Sequence, residues 1–498
     1  MITNKSENKT QKIEELIPGT KEYWKALVED LVEKDIEEFR QLLSERAKEG
    51  EKIEIKNPKA AGIDIGSKEH WVCVPASLDK DNVRKFGTFT CDLYEIASWL
   101  KKCGVTTVAM ESTGIYWIAP YQVIEDAGIE VCLVNAKYFK NVPGRGKTDR
   151  LDCKWLQKLH TFGLLHASFR PDAQICQIRS LVRNRRDLIQ MGATRIQLMQ
   201  KSLEQMNIKL ANVISDIVGV SGLKIIEAII RGERNLLYIA ELKDRRIKAT
   251  TQELIKSLEG DYRDEHIFTL KQALDGYKFI QQQIVECDLE TEKYLQKMDK
   301  QPDQCQLTFE FIQIGKHKPR KSKAAHNEPH FDANSYIFKI TGIDLTEIPG
   351  ISESSTLTII SEIGLDMAKW KSEKEFVCWL GLCPKPDKSG GKVISSSTRK
   401  VKNRASEAFR MAALAVQRSQ SYLGNFFRKI ASTRGFHKAI TATARKIAVI
   451  FYSMLKNKTP YKELGPDFYY QQNKEKIIRN LILKAKSLGL EVVVPDNV

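Results

Sequence analysis

Strand-like sequence in this chain is confined to one stretch, and the rest has the periodicity of helices. Short β-rich runs follow one another from Ala61, and their sequences are AGIDIGS, HWVCVPA, FGTFT, TTVAM and IEVCLVN. Helix-like segments lie among them at 92–102 and 115–127. Three strands followed by alternating helix and strand predict a mixed α/β sheet. A dinucleotide-binding βαβ fold is disfavoured, because no GxGxxG follows the first strand.

The remaining sequence divides by composition into helical segments and a linker. At 498 residues the chain is too long for one hydrophobic core, so we expect several domains. Helical periodicity after Pro171, broken near Val218–Gly222 and at Gly260-Asp261, predicts an elongated helical or coiled-coil region. We predict a charged helical leader at 1–57, the α/β domain at 58–170, the helical region at 171–300, a basic linker at 301–342, a mainly helical domain at 343–465 and a charged helical tail at 466–498.

The net charge of +16 favours polyanionic partners, with nucleic acid first among them. The ten cysteines are scattered singly, which is typical of free thiols in a reducing compartment and not of a zinc site. His317, His326 and His330 also lack zinc spacing, and we interpret them as part of a solvated linker. The sequence shows neither a signal peptide nor an apolar run that could cross a bilayer, so we expect a cytoplasmic protein without a membrane partner.

Acidic residues in the α/β region are the first candidates for chemistry. Asp64 lies in the first strand and Glu111 ends the fourth. In a ribonuclease-H-like sheet these strands are neighbours, so the two carboxylates can approach one another, as a divalent cation requires. Asp149 and Asp152, in KTDRLD, project from one face of a helix because they are three residues apart. Taken singly, they equally fit ordinary first-turn helix residues, and Asp64 fits a turn residue at a strand end.

A basic segment rich in glycine and hydroxyl groups, KPDKSGGKVISSSTRKVKNR, is the second candidate. Gly390 and Gly391 allow close backbone approach to a phosphate, although such stretches are also commonly surface loops. The preceding IPGISESSTLTIISEIG is similar to a helix-hairpin-helix element, in which a Pro-Gly turn presents backbone amides to phosphate. A plain turn between helices is the alternative. The cations of the basic segment are Lys392, Arg399, Lys400, Lys402 and Arg404.

Arginines also recur at helical spacing near the start of the long helical region. Arg179, Arg183 and Arg186, with Arg185 beside them, form a stripe that can follow a phosphate backbone. A solvated helix face is the competing interpretation.

Taken together, these segments resemble a known family. GIDIGSKEHWV, AMESTGIYWIAPYQVIEDAGIEVCLVN with GRGKTDRLD, and IPGISESSTLTIISEIG are similar to the DEDD transposases of insertion sequence 110, particularly its 1111 subgroup. The resemblance covers about residues 60–465 and implies a RuvC-like (ribonuclease-H-like) nuclease domain followed by the family's own transposase domain. It implies that Mg²⁺, as two ions for which Mn²⁺ can substitute, binds at four positions, which fall on Asp64, Glu111, Asp149 and Asp152.

The same resemblance places the family's nucleophilic serine at Ser389, with Ser395, Ser396 and Ser397 as nearby rivals. It implies an insertion-sequence transposase, which is a site-specific recombinase that cleaves and rejoins donor and target DNA. It further implies a structured non-coding guide RNA (bridge RNA) that pairs with both DNAs, and dimers that form a tetramer on DNA. Such a protein would act in a prokaryotic cytoplasm, associated with the nucleoid.

Three other functions compete with this interpretation. A RuvC-like structure-selective nuclease would use the same carboxylates with water as the nucleophile, leaving Ser389 structural. An actin-like or sugar-kinase ATPase would use IDIGS as a phosphate loop, but the only GG of the chain, in KSGGK, has no strand before it. A non-catalytic basic scaffold on RNA leaves Asp64 and KTDRLD unexplained.

Overall fold

The chain divides into two units, residues 1–170 and 171–498, at the point where the strand signals end. The structure, a computed structural model, describes residues 55–112, 114–135, 148–299, 326–390, 392–465 and 468–490. The predicted helical leader and most of the basic linker, with His317, lie outside the described residues.

A five-stranded mixed sheet is the centre of the first unit. The strands are β1 Ala60–Ile65, β2 His70–Cys73, β3 Val83–Phe86, β4 Thr107–Glu111 and β5 Glu130–Val134. Their order in the sheet is β3-β2-β1-β4-β5, with β1 antiparallel to β2, β2 antiparallel to β3, and parallel pairs β1–β4 and β4–β5. This arrangement confirms the mixed α/β sheet and is that of a ribonuclease-H-like domain.

The third strand differs from the prediction, which placed it at FGTFT, residues 86–90. The strand is Val83–Phe86, and Thr90 already begins helix α1, Thr90–Lys102. The backbone N–H of Phe89 donates to the Asp92 carboxylate at 2.9 Å, which caps the start of the helix. Gly87 leaves room for this carboxylate, because a Cβ there would lie 2.2 Å from its Oδ2. The cap therefore overrides the alternating pattern of the sequence.

Helices cover both faces of the sheet. On one face Ile63 packs in a core with α1 and with α2, Ile118–Asp126, through residues such as Ile96 and Ile124. On the other face α3, Asp149–Thr161, packs against the sheet through Leu156. Every residue of β1 is buried, which agrees with its nearly continuous apolar sequence.

Gly62 allows α3 to pack directly on the backbone of β1. A Cβ at Gly62 would lie 2.3 Å from the backbone nitrogen of Gln157 and 2.4 Å from the carbonyl oxygen of Cys153. The Gln157 side chain also donates from Nε2 to the carbonyl oxygen of Ala60, over 3.3 Å. Only glycine is compatible with this contact without displacing the helix.

The predicted helical region is present in the second unit as two long helices joined by short ones. The helices α4, Ala173–Gln205, and α9, Asp264–Asp299, contain 33 and 36 residues. The predicted break at Gly260-Asp261 lies just before α9, whereas a helix already begins at Val220, inside the break predicted at Val218–Gly222. The short helices are α5 Leu210–Val213, α6 Val220–Ile230, α7 Leu236–Glu241 and α8 Thr251–Leu258.

One buried ion pair joins the two long helices. Arg185 on α4 and Asp288 on α9 are 5% and 1% exposed, and the guanidinium donates to the carboxylate at 2.5 Å. His330 also contacts Asp288, with its backbone nitrogen 3.1 Å and its Nδ1 2.7 Å from Oδ2. His330, which the sequence placed in a solvated linker, is exposed but contacts the buried carboxylate of this ion pair.

The rest of the second unit is mainly helical, as expected, and it also contains a two-stranded hairpin that the sequence did not predict. Helix α10, Ala333–Thr341, lies within the segment predicted as linker and is capped by Asp332, which accepts from the backbone N–H of Ser335. The other elements are α11 Glu353–Ile363, α12 Glu373–Trp379, β6 Asp387–Ser389, β7 Lys392–Ser395, α13 Arg404–Ala415, α14 Tyr422–Arg434, α15 Phe436–Asn457 and α16 Phe468–Ser487.

The Pro349-Gly350 turn packs against protein. Gly350 has a φ of +88°, and a Cβ there would lie 2.4 Å from the carbonyl oxygen of Ala412 on α13. Position 350 requires glycine, because a side chain there would meet α13 and because its backbone is left-handed.

We expect Gly62→Ala to destabilise the first unit by about 1–3 kcal/mol, because the added methyl group meets the backbone of α3. Hydrogen exchange of the β1 and α3 amides measures this loss. Gly192→Ala is the matched control, since a Cβ there makes ordinary contacts at 3.7 Å within a helix. Equal exchange protection in Gly62→Ala and the wild type would contradict the proposed close contact.

Candidate active site

Asp64 and Glu111 lie on neighbouring parallel strands. Ile63 of β1 is opposite Met110 of β4, so the next residues along the two strands, Asp64 and Glu111, are adjacent and share one face of the sheet. They are 8% and 1% exposed. Gly62, two residues before Asp64, faces α3, and Asp64 therefore faces the same helix.

Helix α3 runs opposite to β1 and β4, which brings its first turn to the edge of the sheet where the two carboxylates lie. Near its C-terminal end, His160 Nε2 is 2.9 Å from the hydroxyl of Thr107, the first residue of β4. Gln157 contacts Ala60 at the beginning of β1, and Cys153 lies against Gly62 in the middle of that strand. The first turn, with Asp149 and Asp152, therefore lies toward the ends of the strands.

Electrostatic effects support this direction of the helix. The pKa of the Cys153 thiol is raised, first by its contact with Cys73, then by burial, and further by the negative charge of Asp64. The Asp64 carboxylate is therefore close to the first two turns of α3. Burial also lowers the pKa of His160, which indicates a neutral imidazole in its contact with Thr107.

The first turn of α3 has a defined start. Thr148 caps the helix, because its hydroxyl accepts from the backbone N–H of Leu151 at 3.4 Å and its carbonyl oxygen accepts from that of Asp152 at 2.9 Å. Asp149 is exposed and Asp152 is half-buried. The helix dipole favours negative charge at both positions, whichever role they have.

The four side chains are of the type that binds a hard divalent cation. Carboxylate oxygens are the preferred ligands of Mg²⁺, and two buried carboxylates side by side repel one another unless a cation or hydrogen bonds offset their charge. In the part of the chain that the structure describes, no three His, Cys, Asp or Glu residues form a group that could hold a metal ion. The structure brings Asp64 and Glu111 side by side and directs the first turn of α3 toward the same edge of the sheet, and the convergence of the four carboxylates on a metal stays a prediction.

Ser389 lies in the second unit, at the end of β6. It is paired with Lys392 across the hairpin, and both residues are exposed. Gly390, which follows it, has a φ of +54°, a left-handed conformation that favours glycine. A turn is therefore present at this glycine. Of the rival serines, Ser395 is half-buried and ends β7, whereas Ser396 and Ser397 are exposed beyond that strand.

The basic residues around this hairpin are largely accessible. One of them is also anchored, since Arg399 donates to the carbonyl oxygen of Cys378 at 3.2 Å. Arg404 begins α13 and is half-buried. The exposed cations are Lys392, Arg399, Lys400 and Lys402.

The arginine stripe on α4 has partners within the second unit. Arg179 donates to the carbonyl oxygens of Ser361 and Glu362 at the end of α11, at 3.0 and 2.6 Å. Arg183 forms two hydrogen bonds of 2.7 Å with the Glu362 carboxylate, which raises the pKa of that guanidinium. Arg185 is buried against Asp288.

The fourth arginine of the stripe, Arg186, pairs with Glu407 at 2.6 Å, and both side chains are exposed. Sequence reasoning found this helix face but missed Glu362 and Asp288. Glu362 lies in an otherwise apolar helical pattern, LTIISEIG, which was an available signal, whereas Asp288 lies among other acidic residues and gave none. For Arg179, Arg183 and Arg185, a nucleic-acid role stays a prediction.

Each cysteine that the structure describes is a free thiol. A search of the described helices finds none with the length and apolar character needed to span a bilayer.

Comparison with known families gives two matches. A model for DEDD transposases of insertion sequence 110, described as "Transposase", matches residues 61–208, which include the sheet and all four carboxylates. A second model, "Transposase IS116/IS110/IS902 family", matches residues 344–428, which include the serine hairpin. No protein of curated function matches the chain.

The two matches occur in one chain and in the order expected from the motifs. A DEDD transposase acts on DNA, and its class implies use of a divalent metal. The two matches together support an insertion sequence 110 family transposase, an enzyme that cleaves and rejoins DNA.

Proposed function

We propose that the protein is a site-specific recombinase that holds divalent ions with Asp64, Glu111, Asp149 and Asp152 and joins DNA covalently through Ser389. The observation that carries the metal site is the adjacency of two buried carboxylates at the sheet edge reached by the first turn of α3. The presence of the serine on an exposed, basic hairpin supports the second part.

In this proposal the carboxylates hold two Mg²⁺ ions, for which Mn²⁺ can substitute. Such ions supply activation of the attacking oxygen and stabilisation of the leaving oxygen of a phosphodiester. The protein contributes fixed ligand positions. Asp64 and Glu111 belong to strands packed on both faces, and Gly62 and the Thr148 cap hold the first turn of α3. A rigid scaffold of this kind reduces the cost of bringing four negative charges together.

The proposed covalent step is attack by the Ser389 hydroxyl on a DNA phosphodiester. The Oγ–P bond forms as the P–O bond to the leaving strand breaks. The serine proton passes to a base, and the released oxygen is protonated as a free hydroxyl end. Because the phosphodiester energy is conserved, the reverse attack by another strand rejoins DNA without ATP. Attack by water would discard this energy and make the protein a nuclease.

For nucleic-acid contact we propose Arg186, Arg404 and the four exposed cations of the serine hairpin region, since these remain accessible or half-buried. Donor and target DNA are the substrates. A guide RNA and assembly of dimers into a tetramer on DNA, in a prokaryotic cytoplasm at the nucleoid, rest on the family resemblance and the charge of +16. Sequencing of RNA that copurifies with the protein tests the RNA partner, and its absence from active protein would exclude a guide.

Replacing Asp152 by Asn should lower strand cleavage by more than about a hundredfold, because the carboxamide keeps the shape but removes a charged ligand. Cleavage is measured on labelled DNA in Mg²⁺, with EDTA as a second test. Asp126→Asn, on an exposed residue at the end of α2, is the matched control and should cleave normally. Undiminished cleavage in EDTA or by Asp152→Asn would exclude the metal site.

Ser389→Ala should remove covalent DNA attachment and strand exchange but retain DNA binding, whereas Ser396→Ala should keep most of its activity. A nicked DNA substrate traps the adduct, and mass spectrometry of the modified peptide identifies the attached residue. Attachment at another serine would refute the assignment. Cleavage without any adduct would show that water is the nucleophile and that the protein is a RuvC-like nuclease.

A further inference from the structure

The serine hairpin contains an irregularity that singles out Ile394. Across the two strands Lys388 is paired with Val393, and Asp387 is paired with Ser395. The register therefore skips Ile394, which is the extra residue of a β-bulge. Bulges bend a strand and re-aim a side chain, and they recur beside active sites.

Ile394 is also unusually accessible, with 72% of its surface exposed. A single exposed apolar side chain is common on proteins and does not by itself indicate a contact. Here, however, it lies on a short hairpin on which two of the described side chains, Ser389 and Lys392, are also exposed and are polar or basic. An apolar group amid cations is what a surface needs to contact both phosphates and bases.

The base of the hairpin is closed by contacts between its two arms, and Arg399 joins it to α12 through the carbonyl oxygen of Cys378. The backbone N–H of Lys385 donates to the carbonyl oxygen of Ser397 at 2.8 Å, and Pro384 and Thr398 form a β-bridge. Val401 packs on Gly381, where a Cβ would lie 2.3 Å from its Cγ2. These contacts hold the base of the hairpin in place and leave its outer part exposed.

We propose that Ile394 is an apolar wedge that contacts the faces of DNA bases beside the phosphate attacked by Ser389. Neighbouring cations neutralise the backbone, and the isoleucine packs against, or inserts into, the adjoining base step. Apolar wedges of this size unstack bases in other DNA-binding proteins. The wedge would hold the end of a cleaved strand in place until it is rejoined.

This inference rests on the proposed role of Ser389, which makes DNA the expected partner. Ser389 pairs with Lys392, and Ile394 lies two residues beyond Lys392 along β7, or about 7 Å at the rise of a strand. This separation is comparable to the spacing between a phosphate and the nearest bases of its strand. A contact at Ile394 would therefore involve the nucleotides next to the joined phosphate.

Salt dependence of binding to a nicked DNA duplex tests the inference. Ile394→Ala should weaken binding about tenfold or more at every salt concentration, because an apolar contact releases no counterions. Lys402→Ala should instead flatten the plot of log K against log salt by about one unit. Leu237→Ala, an exposed leucine on α7, is the matched control and should bind as the wild type does.

Two further measurements separate a base contact from a phosphate contact. A 2-aminopurine placed beside the nick should brighten on binding of the wild type but not of Ile394→Ala, because unstacking relieves its quenching. Ile394→Lys should lower this fluorescence signal. If that variant instead binds DNA more tightly than the wild type, the position faces phosphates and the inference is overturned. Circular dichroism confirms that each variant is folded.

The failures of the two proposals can be told apart. Wild-type protein that neither binds nor cleaves DNA would overturn the proposed function and this inference with it. Normal DNA binding and 2-aminopurine brightening by Ile394→Ala would overturn the inference alone. An effect of Ile394→Ala on RNA binding without one on DNA binding would also overturn it.

Discussion

The close contact between α3 and β1 at Gly62 determines the geometry of the candidate active site. Because the helix lies directly on the strand backbone, the contacts of Gln157 and Cys153 with Gly62 set its direction and its distance from the strand. The bond between His160 and Thr107 fixes its other end. Everything proposed for the four carboxylates depends on this packing, since the strands carry only Asp64 and Glu111 and the first turn of α3 carries Asp149 and Asp152.

The sequence predicted the first unit well because its signals are local. The strand runs and the acidic positions Asp64 and Glu111 are each visible within a few residues, and the ribonuclease-H-like order then brings the two strands together. The third strand was misplaced because alternation in FGTFT was weighed without the cap that Asp92 provides. A side-chain hydrogen bond to the backbone can start a helix where alternation predicts a strand, and the periodicity of the sequence does not reveal this bond.

In the second unit the long-range contacts limited what sequence could predict. The spacing of the arginines predicted a stripe on one helix, but it did not reveal that Arg183 and Arg185 contact Glu362 and Asp288, which are distant in sequence. Charged side chains that are buried in this way need partners, and only the fold identifies them. The strands of the hairpin are too short for the sequence to predict them, and the bulge at Ile394 depends on a register that no local pattern specifies.

We propose above all that a sheet edge and a helix N-terminus together form a divalent-metal site. Anomalous diffraction from crystals of the protein grown with Mn²⁺ tests it most directly. A peak between the carboxylates of Asp64 and Glu111, with oxygen ligands from the first turn of α3, is the predicted result. Crystals with Mn²⁺ bound elsewhere, or with these carboxylates paired to basic side chains and no peak between them, would contradict it.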